Sequence, residues 1–145
     1  MKFLFKKLCI ASDHAGFKLK EEIKNFLVSK NVSIFDLGPL NENSVDYPDF
    51  AQKVSRRIKL NRSDIGILVC GSGTGMAISA NKTKGIRAAV CYNSESTTLS
   101  RLHNNANIIA LGSRLTKKKI ALKLVSIFLR TKFEGGRHLR RVKKI

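Results

Sequence analysis

The sequence has no tryptophan, two prolines and only three cysteines among its 145 residues. The cysteines are odd in number and form no C-x-x-C pair, so they suggest neither a disulfide framework nor a zinc site and favour a reducing compartment. Long apolar runs are also lacking. Lysines interrupt the N-terminal stretch well before it reaches the length of a signal-peptide core, and no segment reaches transmembrane length. We therefore expect a cytoplasmic protein that does not enter a membrane.

Acidic residues are scarce, with 10 aspartates and glutamates against 28 lysines and arginines and a formal net charge of +18. Such a surplus is compatible with a phosphate ester, a nucleic acid or an acidic membrane surface as partner. Proteins that bind single-stranded nucleic acid usually interleave basic residues with aromatic ones, and this pattern is missing here. We expect no specific nucleic-acid or membrane partner and interpret most of the lysines as solvated.

The order of apolar segments predicts the fold class. Five short runs, several of them rich in β-branched residues, read as buried strands: 8–11, 32–35, 65–69, 86–90 and 107–111. Longer segments with helical spacing lie between several of them. This alternation predicts a Rossmann-like α/β three-layer sandwich with a five-stranded parallel sheet and helices on both faces. The length suits one domain, residues 1–145.

Ligands of open α/β sheets bind beyond the carboxyl ends of the strands. Polar or small residues follow all five predicted strands: Ser12-Asp13-His14, Asp36, Cys70-Gly71-Ser72-Gly73, Tyr92-Asn93 and Gly112-Ser113-Arg114. The longest connection, residues 38–47, precedes a proline that is expected to open a helix, and it is a candidate lid or substrate wall.

The segment Cys70-Gly71-Ser72-Gly73-Thr74-Gly75 follows the third strand and is expected to open a helix near Met76. Backbone N–H groups in such a loop suit an oxyanion or a phosphate, but the spacing matches neither the dinucleotide fingerprint nor the P-loop. Cys70 is either a reactive thiol at a helix start or a small buried hydrophobe, and the glycines either bind a ligand or only permit a tight turn. The loop alone does not decide between them.

Three other segments are ambiguous on their own. Asp13 is suited to capping the following helix, and His103 is suited to a helix C-terminus. The C-terminal arginines read either as a solvated tail or as a group directed by the turn at Gly135-Gly136.

Taken together, seven ordered motifs resemble the ribose-5-phosphate isomerase B family, which also contains the subunits of galactose-6-phosphate isomerase and allose-6-phosphate isomerase. They are Ser12-Asp13-His14-Ala15-Gly16, Asp46-Tyr47-Pro48, the Cys70 to Gly75 loop, Ala80-Asn81-Lys82 with Gly85-Ile86-Arg87-Ala88, His103-Asn104 with Asn107, Leu111-Gly112-Ser113-Arg114, and Phe133-Glu134-Gly135-Gly136-Arg137-His138. The resemblance covers nearly the whole chain.

The resemblance implies aldose–ketose isomerisation of ribose 5-phosphate and ribulose 5-phosphate, by ring opening and a cis-enediolate, without metal or cofactor. By analogy, Cys70 takes the C2 proton, Ser72 assists proton movement between the oxygens, and His103 with Asp13 opens the ring. The backbone N–H groups of Gly71, Ser72, Gly73, Thr74 and Gly75 would hold the enediolate.

Substrate binding is also assigned by analogy. The resemblance implies that His14, Tyr47 and Asn104 orient the sugar hydroxyls. It also implies that Arg137 and Arg141 bind the phosphate and that Arg114 is a further substrate-binding residue. The basic segment 134–145 would thus complete the site.

The resemblance further implies a homodimer or homotetramer whose sites borrow residues across an interface. Some relatives use a glutamate where this sequence has Met76, so the chain resembles the cysteine-base branch. Ser72 stands where many such members have threonine, and Asn105 replaces a common acidic residue; both bear on sugar preference. The alternatives are a galactose-6-phosphate or allose-6-phosphate isomerase and, with less support, a basic nucleic-acid-binding protein.

Overall fold

The computed structural model describes residues 2–145, which form five strands and six helices. In chain order these are β1 (Leu8–Ser12), α1 (Phe17–Ser29), β2 (Ile34–Asp36), α2 (Tyr47–Lys59), β3 (Ile65–Cys70), α3 (Thr74–Ala80), β4 (Ala88–Val90), α4 (Ser94–Leu102), β5 (Ile108–Gly112), α5 (Lys118–Arg130) and α6 (Arg137–Val142). None of the helices within these residues is long and apolar enough to cross a membrane.

The strands form one parallel sheet in the order β2-β1-β3-β5-β4. This confirms the predicted five-stranded parallel sheet. The sequence did not predict that β5 lies between β3 and β4. The register pairs Gly66 with Ile108 and Cys70 with Gly112, so the carboxyl ends of β3 and β5 lie side by side.

Helices cover both faces of the sheet, as predicted. The apolar sides of α1 and α5 pack on one face around Ile10, Ile67 and Ile109. The apolar sides of α2 and α3 pack on the other face around Leu68 and Ala110. The fully buried strands β1, β3 and β5 explain why the sequence shows continuous apolar runs rather than alternation.

Two strands begin two residues later than their apolar runs predicted. The N–H of Val32 donates to the carbonyl of Leu27 at 2.9 Å and so completes the end of α1 rather than entering β2. Before β4, the side chain of Asn107 accepts from the N–H of Arg87 at 2.8 Å, which holds that residue outside the strand. Local hydrogen bonds outweigh β propensity at both points.

Candidate active site

Loops that follow β1, β3 and β5 are joined by hydrogen bonds at the carboxyl edge of the sheet. The N–H of Ser113 donates to the carbonyl of Cys70 at 2.8 Å, and the N–H of Arg114 donates to that of Gly71 at 3.0 Å. The hydroxyl of Ser113 donates to the carbonyl of Ala15 at 2.8 Å. Loops distant in sequence are therefore held as one frame.

This frame encloses an open cavity of about 260 Å³, lined by Asp13, Tyr47, Cys70, Gly71, Ser72, Gly75, Arg114 and Leu115. Seven of these eight residues are candidates from the sequence, and the eighth, Leu115, is 63% exposed at the rim. The cavity is small and polar in its functional groups, which suits a compact hydrophilic molecule better than a nucleotide.

The thiol of Cys70 lies at the floor of this cavity, at the end of β3. Its sulfur accepts a hydrogen bond from the N–H of Gly73 at 3.1 Å, and its side chain is almost fully buried. Gly73 has φ +80° and begins the turn into α3, a conformation that a glycine adopts without strain. The backbone thus directs an N–H group at the sulfur, which acts as a hydrogen-bond acceptor in the cavity.

The other two cysteines are held differently. The thiols of Cys9 and Cys91 donate to the carbonyls of Ile65 and Ala89. Burial raises the pKa of Cys9 to about 11, an effect that Ser63 and Arg57 only partly offset. Burial also raises the pKa of Cys91. These two thiols are hydrogen-bond donors in the core, whereas the sulfur of Cys70 is an acceptor in the cavity.

Two glycines of the loop are needed because side chains lie directly against them. The Cβ of any residue replacing Gly75 would lie 2.7 Å from the ring of Tyr47, and at Gly71 it would lie 3.1 Å from the guanidinium of Arg114. The absence of side chains at these two positions therefore lets an aromatic ring and a positive charge approach the loop backbone.

Asp13 and His14 both hold backbone at the edge of the site. A carboxylate oxygen of Asp13 accepts from the N–H of Gly16 at 2.9 Å, which closes the turn before α1, and the residue also lines the cavity. The sequence suggested Asp13 as the cap of this helix, but the N-cap is Gly16 and no side chain caps it. The Nδ1 of His14 accepts from the N–H of Val45 at 3.2 Å. His14 thereby fixes the 38–47 loop, and it is not among the residues that line the cavity.

Asp36, the strand-end residue of β2, does not line the cavity. It accepts from the ammonium groups of Lys20 and Lys24 and from the N–H of Gly38. Burial raises the pKa of Asp36, but the hydrogen bonds from these three groups outweigh it and hold the pKa below its ordinary value. The side chain of Lys20 is fully buried, so this ion pair fixes the start of the long loop against α1.

The remaining candidates form a second group at the other end of the molecule. The ring of His103, at the end of α4, stacks on that of His138 in α6, with centroids 4.2 Å apart and an interplanar angle of 14°. A carboxylate oxygen of Glu134 lies 4.0 Å and 3.9 Å from their respective Nε2 atoms. Burial, the neighbouring His103 and the α6 arginines lower the pKa of His138, outweighing the opposite effect of Glu134.

Arg137 and Arg141 lie on α6 beside this pair and are exposed. Gly135 and Gly136 both have positive φ, as the predicted turn requires. The N–H of Glu134 donates to the carbonyl of Leu102 at 3.1 Å, which ties the C-terminal segment to the end of α4.

The two groups of candidate residues lie at opposite edges of the sheet. Helix α4 starts at the carboxyl edge, after β4, and ends at the amino edge, where the chain enters β5 at Ile108. His103 and Asn104 therefore lie at the amino edge. Cys70 lies opposite Gly112, at the carboxyl end of the same strand pair, about 13 Å further along the sheet at about 3.3 Å per residue. One chain thus presents two partial groups of candidate residues.

Sequence reasoning did not identify Leu115 or the structural pair of Lys20 and Asp36, and it did not assign separate roles to Glu134 and His138. Glu134 and His138 are four residues apart, and this spacing could have predicted that their side chains lie close together. Nothing local marks Lys20 as buried, because its partner lies 16 residues away.

Comparisons with known proteins agree with this architecture. The family model described as Ribose/Galactose Isomerase matches residues 8–145. The ribose-5-phosphate isomerase B of Escherichia coli is 43% identical over 97% of this chain and 94% of its own. A ribose 5-phosphate isomerase structure from Thermotoga maritima is 51% identical, with a TM-score of 0.94 and 95% of each chain covered. A Mycoplasma genitalium ribose-5-phosphate isomerase B with bound ribulose-5-phosphate is 44% identical, with a TM-score of 0.90 and coverage of 94% of this chain and 91% of its own.

Proposed function

The chain belongs to the ribose/galactose isomerase family, and from this membership we propose that it is a ribose-5-phosphate isomerase that interconverts ribose 5-phosphate and ribulose 5-phosphate. This is a reaction of the non-oxidative pentose phosphate pathway. The five-carbon substrate is favoured over a six-carbon one because the similar proteins bear that name and one of them holds ribulose-5-phosphate.

The observation that carries a chemical role for this chain is the cavity position of Cys70, whose sulfur accepts the N–H of Gly73. We propose that the Cys70 thiolate removes the C2 proton of the open-chain aldose, which leaves an enediolate, and that the proton is then delivered to C1. The hydroxyl of Ser72 would pass a proton between the two substrate oxygens. Loop N–H groups from Gly71 to Gly75 would stabilise the negative oxygen.

Ring opening requires a second acid–base group within hydrogen-bonding distance of the same sugar. His103 is the candidate, with Asp13 on the cavity side, but within one chain His103 lies at the opposite edge of the sheet from Cys70. We therefore propose that the working site combines the Cys70 cavity of one subunit with His103 and Asn104 of another, in a homodimer or homotetramer.

Phosphate binding follows the same division. Arg114 lies in the cavity over Gly71. Arg137 and Arg141 are presented by α6 beside His103, so the basic segment 134–145 would complete the site of a neighbouring subunit. Guanidinium groups match a phosphate dianion because each can donate two parallel hydrogen bonds. Tyr47 would orient sugar hydroxyls from the cavity wall, and His14 would do so from the edge of the site, where it holds the 38–47 loop.

The three free cysteines support a reducing, cytoplasmic setting, because a thiol base must remain reduced. The proposed substrate also accounts for part of the positive charge, since attraction of a dianion speeds its encounter with the site.

The test is conversion of ribose 5-phosphate to ribulose 5-phosphate in the presence of EDTA, with galactose 6-phosphate and allose 6-phosphate as competing substrates. Cys70→Ala should lower turnover by about 10²–10⁴-fold or more while substrate binding persists. Cys91→Ala, which removes a buried thiol outside the cavity, is the matched control. A folded Cys70→Ala protein with near-normal turnover would refute the assignment.

A further inference from the structure

We propose that Glu134, His103 and His138 form a binding site for a zinc-like divalent cation at the amino edge of the sheet, and that occupancy of this site inhibits the enzyme. The three side chains offer one donor atom each, and these atoms lie within 4.8 Å of one another. Two imidazoles and one carboxylate are the donor set of many zinc sites that keep an open fourth position.

A second observation also indicates a missing ligand. The Nε2 of His138 is buried, and within residues 2–145 it has no hydrogen-bond partner. The His138 side chain is only 9% exposed. A buried polar atom without a partner carries a desolvation cost that a ligand would relieve. This atom is directed to the same carboxylate oxygen of Glu134 as the Nε2 of His103.

The backbone holds the three donors in place. His103 ends α4, and the N–H of Glu134 donates to the carbonyl of the preceding residue, Leu102, at 3.1 Å. The N–H of His138 donates to the carbonyl of Gly135 at 3.0 Å, which closes the turn that begins α6. The cluster therefore rests on two hydrogen-bonded helix ends and not on the flexibility of an exposed tail.

Binding requires a defined rearrangement. Donor atoms about 2.0–2.1 Å from zinc in a tetrahedron lie about 3.4 Å apart, so the two separations of 3.9 Å and 4.0 Å must each shorten by about 0.5 Å. A metal ion also lies in the plane of each imidazole that binds it, and two stacked rings cannot both satisfy this condition. His103, whose side chain is 38% exposed, has the room to turn, whereas His138 is enclosed.

The inhibitory part of this proposal rests on the proposed isomerase function, because the metal occupies the Nε2 of the group assigned to ring opening. Arg137 and Arg141 repel a cation, but both are exposed, so water and salt screen their charges. Binding itself does not depend on the enzyme's activity and can be measured without substrate.

The binding experiment is calorimetric titration of the intact protein with Zn²⁺, compared with His138→Gln, Glu134→Gln and Glu95→Gln. Glu95 is an exposed carboxylate in the first turn of α4, far from the cluster, and its loss is a matched change of charge. We expect the wild type to bind one zinc ion per subunit and Glu95→Gln to bind it with the same affinity. Zinc affinity should be at least about tenfold weaker in His138→Gln and in Glu134→Gln, because loss of even a residue that only supports the ligands of a metal site lowers metal affinity by that factor. Glu134 is exposed, so its variant keeps the test valid if His138→Gln folds poorly.

Titration with Co²⁺ distinguishes this cluster from the cysteines, because cobalt bound to a thiolate gives an intense charge-transfer band. We expect d–d bands alone. A thiolate band, or equal affinities in all four proteins, would overturn the proposed site. In the activity assay, Zn²⁺ should inhibit the wild type reversibly, EDTA should restore the rate, and Glu134→Gln should need at least about tenfold more zinc relative to its own metal-free rate.

Failure of the proposed metal site and failure of the proposed isomerase function would give different results. Zinc binding to a protein without isomerase activity would refute the proposed function and leave the metal site standing. Isomerase activity in a protein whose zinc affinity ignores Glu134 and His138 would refute the site and leave the function standing.

Discussion

Equal amounts of Cys70→Ala and His103→Ala chains, co-expressed so that subunits pair at random, should recover about one quarter of the wild-type activity for the same total protein. This expectation follows from the proposed shared site. Within one chain His103 precedes the amino end of β5, whereas Cys70 lies beside Gly112 at its carboxyl end, and the strand between these ends is about 13 Å long, beyond the reach of one proton-transfer site. About half of the dimers then contain one chain of each kind. In such a dimer one site has both intact groups and the other has neither.

The background is low enough for a clear result. Each variant alone should retain no more than about 1% of the wild-type rate, because loss of a general acid or base costs about 10²–10⁴-fold. A recovered activity of about one quarter therefore exceeds a background of about 1% by about 25-fold. Activity is measured as ribulose 5-phosphate formation after the co-expressed protein has been purified and its oligomeric state checked.

A chain with both substitutions provides the opposite control. Mixed at random with an equal amount of wild type, it should halve the activity of the wild-type chains present, because every mixed dimer lacks an intact pair. Sites contained within one chain would give no recovery in the first experiment and no loss in the second. That combination would refute the separation argued from the position of α4.

Three further outcomes follow from the described contacts. Iodoacetamide should modify Cys70 before Cys91 and abolish activity, and bound substrate should protect; mass spectrometry showing first modification at Cys91 would contradict the contrast between acceptor and donor thiols. Arg137→Ala should lower kcat/KM by about one to two decades, mainly through KM, whereas Lys143→Ala should chiefly change how kcat/KM depends on salt. Equal effects of the two changes would mean that the C-terminal segment contributes only general positive charge and does not bind the phosphate. Asp36→Asn should lower the free energy of unfolding by about 3 kcal/mol at pH 7, because it leaves a buried lysine poorly paired. Since the folded-state pKa of Asp36 is lowered, its contribution is present above the unfolded pKa of about 3.9 and is lost as pH falls through the folded value. Urea unfolding should therefore show a smaller difference at low pH, and an unchanged difference would contradict the ion-pair explanation.

Features encoded locally were predictable from the sequence. The loop from Cys70 to Gly75 is such a case, because the strand, the glycines and the start of α3 are consecutive, and Pro48 lies in the first turn of α2 as expected. The parallel sheet followed from the order of apolar runs. The position of α6 was not predictable in this way, because it depends on the C-terminal segment folding back onto the end of α4, where the N–H of Glu134 donates to the carbonyl of Leu102. The stacking of His103 on His138 joins residues 35 positions apart and has no local signal.

The main-chain joints between the loops have a consequence for how this protein can evolve. The hydrogen bonds from Ser113 and Arg114 to the carbonyls of Cys70 and Gly71 use backbone N–H groups, so they persist when the side chains change. Gly112 is different, because a Cβ there would lie 2.7 Å from the backbone of Ser72. Mutational drift is therefore blocked at such glycines and open at the rim, where Leu115 and Tyr47 are 63% and 41% exposed. A lineage that adapts to a longer sugar can alter these rim residues one at a time while its frame keeps folding.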